Sequence, residues 1–200
     1  MAAYFQQAGS GATALDSSGN GYTGTITAGA GGWAADNKGN AARAYDFDAL
    51  NTKIDTGSDW IGTVTTTVSA WIYADSYGEI NVGRIIDNGK FIFSMLSNKL
   101  RALSDGSTAT YSLDGSIQLN TWYYVTLTRT SAGVANFYVN GALSGSANQA
   151  SGTPVAGTTN VIIGNNTGQT TTFDGRISDV RIYNRVLSAA EILAIYNSTR

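Results

Sequence analysis

Residues 122–145, WYYVTLTRTSAGVANFYVNGALSG, constrain the fold more than any other part of the chain. Trp122, Tyr124, Thr126 and Thr128 fall on one side of an extended backbone and Tyr123, Val125 and Leu127 on the other. That period of two belongs to strands, and it resumes at Val134. Asn140-Gly141 then separates Val139 from Ala142. A two-residue type I′ turn needs positive φ at both central positions, which this dipeptide tolerates, so the segment reads as consecutive antiparallel strands.

The same devices recur along the chain. Within residues 63–75, Val64, Val68, Ala70 and Ile72 share one face and Ser69, Trp71 and Tyr73 the other. Bulk on both faces near Trp71 marks a central strand. Asn88-Gly89 separates GRIID from KFIFSML, Asp114-Gly115 separates TYSL from SIQL, and Asp105-Gly106 marks a further turn. Short strands with no helical period between them select an all-β, two-sheet antiparallel sandwich or jelly roll over a βαβ arrangement. One short helix closes the chain. Ser188 at the N-cap and Glu191 at N3 form a capping box, and Ile192, Leu193, Ile195 and Tyr196 supply an apolar side over about residues 189–197. A helix this short is marginal alone, so it must lie against the sandwich.

Length and composition exclude more than they select. A chain of 200 residues fits one domain, read here as residues 1–200, that buries about 70% of its unfolded surface. Charged residues are 13% of the total, against about 25% in an average protein. The net charge is -2 and the lysines and arginines are scattered singly, so no basic stripe offers itself to nucleic acid. Cysteine and histidine are absent. Disulfides, thiol nucleophiles, the usual zinc sites and Ser-His-Asp triads are thereby excluded. No run approaches 18 apolar residues, and residues 1–16 show neither a basic n-region nor an apolar h-region, so neither membrane insertion nor a Sec leader is expected.

Near the N-terminus, DSSGNGYTG at 16–24 places Asp16, Asn20 and Thr23 within one compact turn that glycines 19, 21 and 24 permit. Oxygen-bearing side chains so gathered suit either a metal loop or a purely structural turn. Trp33 and the strand pattern at 41–50 add apolar surface, so this region belongs to the folded domain.

Five stretches in order carry a family resemblance: DSSGNGYTG at 16–24, AYDFDA at 44–49, VSAWIYAD at 68–75, NTWYYVTLTRTSAGVANFYVNG at 120–141 and FDGRISDVRIYNRVLSAAEILAIYN at 173–197. The chain resembles the concanavalin A-like lectin/glucanase superfamily, in particular its laminin-G-like jelly-roll modules. AYDFDA is similar to that family's "ALxFDG" strand, with Ala49 where glycine is usual. The resemblance implies two antiparallel sheets with the termini together at one strand edge. It also implies a glycan-binding, adhesion, secreted-hydrolase or bacteriophage-particle setting, among which fold alone does not choose.

Candidate sites follow from that frame. The family's laminarinase-like hydrolases carry Glu-x-Asp-x-Glu on one strand, whereas this chain has only Glu79 and Glu191, so no catalytic residue is assigned. Asp46 and Asp48 remain a pair on one strand face. Trp71 and Trp122 correspond to core residues of the family. Tyr73, Tyr77, Arg84 and Tyr111 are expected near loop ends and are the candidate ligand-binding residues. The resemblance further implies one structural calcium ion held by Asp16, Asn20 and Asp179, although Ser178 replaces the first acidic position of the strand motif. Arg181 and Arg185 are expected to pair with carboxylates or coat the strand. The polar loops at 145–172 are either where partners are met or plain connections. The reading that emerges is a non-catalytic binding or adhesion module displayed on a virion or cell surface, with a glycan or a neighbouring surface protein as partner. A purely structural virion subunit, a capsid decoration or appendage protein contacting its neighbours, is the alternative, and a carbohydrate-active enzyme or its appended module is the third reading.

Overall fold

The structure is a computed structural model that describes the backbone of residues 2–4 and all of residues 9–27 and 29–200; much of the stretch read for a leader lies outside these described residues. Its strands are β1 (Ala2–Tyr4), β2 (Thr13–Ala14), β3 (Gly24–Thr27), β4 (Gly32–Ala34), β5 (Ala44–Asp48), β6 (Lys53–Asp55), β7 (Thr66–Ala74), β8 (Val82–Asp87) and β9 (Ile92–Leu96). They continue as β10 (Lys99–Leu103), β11 (Ala109–Tyr111), β12 (Trp122–Arg129), β13 (Val134–Val139), β14 (Ala142–Leu143), β15 (Gln149–Ala150), β16 (Ile162–Ile163) and β17 (Asp174–Tyr183). The helix α1 spans Ala189–Thr199.

Two antiparallel sheets account for every described strand. One runs β14-β13-β12-β7-β17-β5-β4, with β1 on β17 and β15 on β13; the other runs β11-β10-β9-β8-β16-β6-β3-β2. The pairing of β1 with β17 sets the first and last strands side by side. Between the sheets lies a core that includes Phe47, Ile72, Phe93, Val125, Phe137, Phe173 and Ile177. A second cluster, Trp71, Tyr124, Leu187 and Ile192, sits on the outer face of the first sheet beneath α1. The period-two pattern is thus realised on both sides of β7: Val68, Ala70 and Ile72 enter the inter-sheet core while Trp71 meets the helix. Val64 does not belong to that face; it precedes β7 and is half-exposed.

Turn chemistry decides the hairpins. Asn140 and Gly141 both take positive φ, 51° and 82°, between the paired residues Val139 and Ala142, which is the expected two-residue turn. Asn88-Gly89 works differently: only Gly89 is left-handed, and the Asn88 side chain accepts from the backbone N–H of Lys90 and Phe91 to close the turn. Asp114-Gly115 joins no hairpin, because SIQL forms no strand after it. Ala49, where the family's strand has glycine, adopts φ 58°, a backbone conformation that glycine reaches without strain. Residues 145–172 are not plain connections, since β16 lies in the middle of the second sheet between β6 and β8 with both isoleucines buried.

The capping box on α1 is complete. Ser188 Oγ accepts from the Glu191 backbone N–H, and the Glu191 carboxylate accepts from the Ser188 N–H. Ile192 is buried and Ile195 and Tyr196 are partly buried, but Leu193 is half-exposed. Arg185 and Ser188 hold the Glu191 carboxyl at about 2, so its contribution is present above its ordinary value of 4.5 and is lost as pH falls from there towards 2. The amide NMR signals of residues 189–199 are accordingly expected to broaden or shift to coil positions across that window in the wild type. Glu191→Gln should show much less pH dependence there, and identical profiles for the two proteins would refute the assignment.

Candidate functional site

Helix α1 covers only part of the outer face of the first sheet. Beside it, strand register lines up Trp122 on β12, Tyr73 on β7, Arg176 on β17, Asp46 on β5 and Gly32 on β4 as successive neighbours. With strands about 4.8 Å apart, this row is roughly 20 Å long. All four side chains in it are half-buried. The Trp122 and Tyr73 rings lie 5.5 Å apart, and the Arg176 guanidinium sits 4.1 Å over the Tyr73 ring and 5.9 Å from that of Trp122. Such a stack fixes the guanidinium plane while leaving its N–H donors at the edge.

The next positions along the same face are acidic. Asp174 pairs with Asp48, and the Asp75 backbone N–H donates to the Asp174 carbonyl. Burial and the neighbouring Asp75 push the Asp46 carboxyl up despite Arg176, and burial likewise raises Asp75. None of the four ion pairs among the described residues involves Arg176, Asp46, Asp75 or Asp174. Asp48 is different. Burial would raise its carboxyl, but the backbone N–H groups of Ala30, Thr52 and Leu50 together hold it below the usual carboxylate range. Both its oxygens are occupied in that turn, accepting from residues 30 and 50–52.

The candidate residues read from sequence are dispersed. Tyr73 stands in the row just described. Tyr111 is on β11 at an open edge of the sandwich, 37% exposed, with Lys99 over its ring at 5.0 Å. It lines a groove of about 610 Å³ with Leu113, Asp114, Leu143 and Gln149. The Gln149 amide accepts from the Tyr111 N–H and donates to its carbonyl, standing in for an absent neighbouring strand. Tyr77 packs against the inter-sheet core. Arg84 lies inside β8 and not at a loop end; its side chain is 12% exposed and ion-paired to Asp87 at 3.0 Å. Trp71, expected in the interior, is 5% exposed, and its indole N–H donates to Thr199 Oγ1. Trp122 is less enclosed than that expectation, because it stands where the cover of α1 ends.

Each calcium candidate is engaged by neighbouring protein groups. Asp16 accepts from the backbone N–H of Ser18 and Tyr22, and from the Ser18 hydroxyl, which closes the N-terminal turn; Gly19 and Gly21 are left-handed there. Asn20 is exposed and donates to Ser18 Oγ. Asp179 sits at an irregularity in β17, with φ 45°, and its two oxygens accept from Arg181 at 2.8 and 2.9 Å. No group of three or more carboxylates among the described residues is arranged to hold a metal ion. The Asp16 and Asp179 oxygens already serve protein donors, so this donor set does not fit a calcium ion without rearrangement. Arg185 pairs with Glu191 at 2.7 Å, so both late arginines have carboxylate partners. No helix among the described residues is long and apolar enough to cross a membrane.

Two face-to-face antiparallel sheets, a single capping helix and an open aromatic row define a lectin-like jelly-roll domain. The chain belongs to the concanavalin A-like lectin/glucanases superfamily, whose laminin G-type sequence model matches residues 47–193. No curated protein matches the sequence. Solved structures of similar fold include the binding domain of botulinum neurotoxin serotype D, with a TM-score of 0.68, 17% identity and coverage of 99% of this chain and 51% of that one. A Trypanosoma rangeli sialidase in complex with sialic acid has a TM-score of 0.71 and 15% identity, over 98% of this chain and 32% of that one. The binding domain of botulinum neurotoxin DC in complex with SialylT has a TM-score of 0.65 and 17% identity, over 94% and 49%. The chain spans about half the length of the toxin domains and a third of the sialidase.

Proposed function

We propose that this domain is a non-catalytic binding module that recognises a saccharide on the outer face of its first sheet. The observation that carries this reading is the row of Trp122, Tyr73, Arg176 and Asp46 on four adjacent strands, with its guanidinium and carboxylate unpaired among the described residues. Sugars present C–H faces that pack on aromatic rings and hydroxyls that both donate and accept. Rigid strands hold these groups in place without ordering a loop on binding. Asp48 is consumed by its turn and Glu191 by the helix cap, which speaks against paired-carboxylate hydrolysis. Proteins of similar fold crystallised with sialic acid or SialylT are consistent with a sugar-binding role, though their likeness extends to the fold. Display on a virion or cell surface is part of the same reading.

The test is a glycan array followed by titration of the hits. Trp122→Ala and Tyr73→Ala are expected to weaken binding about 10- to 100-fold, the 1.4–2.8 kcal/mol typical of aromatic anchors, while Tyr111→Ala leaves it unchanged. Dependence on Tyr111 alone would move the site to the edge groove. No binding by the wild type at millimolar sugar, with self-association that Leu113→Asp or Leu143→Asp abolishes, would favour the structural-subunit reading. The exposed Leu113 and Leu143 flanking that groove are the observation behind this second reading.

A further inference from the structure

Resting on the saccharide reading above, we infer that the outer-face row favours neutral sugars over acidic ones. The charge inventory of the face is the argument. Asp46, Asp48, Asp75 and Asp174 surround one cation, Arg176, and the carboxyls of Asp46, Asp75 and Asp174 all act on one another or on that guanidinium. A sialic acid or uronic acid carboxylate brought to Arg176 therefore enters a field dominated by negative charge, and repulsion from several carboxylates offsets a single charge-assisted pair. A neutral hydroxyl pair bears no such cost. It donates to Asp46 and accepts from Arg176, side chains on adjacent strands at paired positions. Beyond Asp46 the row ends at Gly32, where nothing among the described residues lies within 4 Å of the position a side chain would take.

The test compares matched glycans that differ only in charge: lactose against 3′-sialyllactose, and neutral against uronate-bearing oligosaccharides, by array and then by titration. Neutral members are expected to bind at least tenfold more tightly than their acidic counterparts in 10 mM salt. The gap should shrink in 1 M salt, as the screening length drops from about 30 to about 3 Å, while neutral affinity stays nearly constant. Asp46→Asn should weaken neutral binding about tenfold and narrow the acidic penalty, and Asp174→Asn should narrow the penalty alone. Tighter binding of the acidic member that still requires Tyr73 would overturn this selectivity and leave the saccharide reading standing. Neutral binding indifferent to Asp46→Asn would overturn it as well. Binding of neither member removes the saccharide reading, and the selectivity falls with it.

Discussion

Gly175→Ala is expected to lower stability by about 3–5 kcal/mol and to abolish binding at the outer face. Gly175 sits within β17 at φ 118°, a conformation that side-chain-bearing residues rarely adopt, which costs about 1–3 kcal/mol by itself. An added Cβ would also lie 2.2 Å from the Tyr73 carbonyl oxygen and 2.9 Å from the Asp75 backbone nitrogen. Those are backbone atoms of the neighbouring chain segment, which cannot rotate aside as a flexible side chain does. Relief requires β17 to part from β7, adding an overpacking cost of about 1–3 kcal/mol. For a chain of this size the sum lowers Tm by roughly 10 °C or more. The displaced strand carries Arg176 and the displaced partner carries Tyr73, so the stack loses its geometry below the melting transition too. Gly32→Ala is the control. Nothing among the described residues lies within 4 Å of its Cβ and its φ is not left-handed, so its cost should stay under about 0.5 kcal/mol. Thermal melts of the two variants decide the matter, and a Gly175→Ala protein within 1 kcal/mol of wild type would refute the argument.

How much of this was legible beforehand depends on where the information resides. The hairpin of β13 and β14 was readable because the alternation and the Asn140-Gly141 turn are both local, and the helix was readable because Ser188 and Glu191 lie three residues apart. The outer-face row was not. Trp122, Tyr73, Arg176 and Asp46 come from four separate stretches, and only the register of β12, β7, β17 and β5 makes them neighbours. Tyr73 alone of the four is a candidate by sequence, from its place near a strand end. An isolated arginine in a strand pattern, such as Arg176, looks like surface, and alternation with the buried Ile177 shows only that it points outward. Arg84 shows the converse error, since nothing in GRIID announces that its arginine is enclosed with Asp87. β16 escaped notice because two residues are too few for a period, and only its place between β6 and β8 makes it a central strand. Long-range pairing, then, carries the site, while short-range patterning carries the elements.

Arg129 offers the second large effect, and its size depends on what replaces it. The side chain is fully enclosed, with its guanidinium 4.9 Å from the centre of the Phe91 ring and donating to the backbone carbonyls of Gly62 and Val64. Asp59 secures the same loop from the other side by accepting from Ile61, Gly62 and Gly157 N–H groups. Among the described residues no carboxylate comes within ion-pair distance of Arg129, and burial pulls the guanidinium down to about 10, with Asp59 only partly opposing it. The folded chain therefore bears a cost for keeping this charge, offset by packing on Phe91 and by the two carbonyl bonds that tie residues 62–64 to β12. Arg129→Ala removes both gains and leaves a cavity, so a loss of about 3–5 kcal/mol is expected. Arg129→Met refills most of that volume and abolishes the buried charge, forfeiting only the carbonyl bonds, so its loss should stay near 1 kcal/mol. Urea denaturation of both variants separates the contributions. Equal, large losses would mean that the latch to Gly62 and Val64 dominates, and a small loss in Arg129→Ala would mean that the loop is held by Asp59 alone.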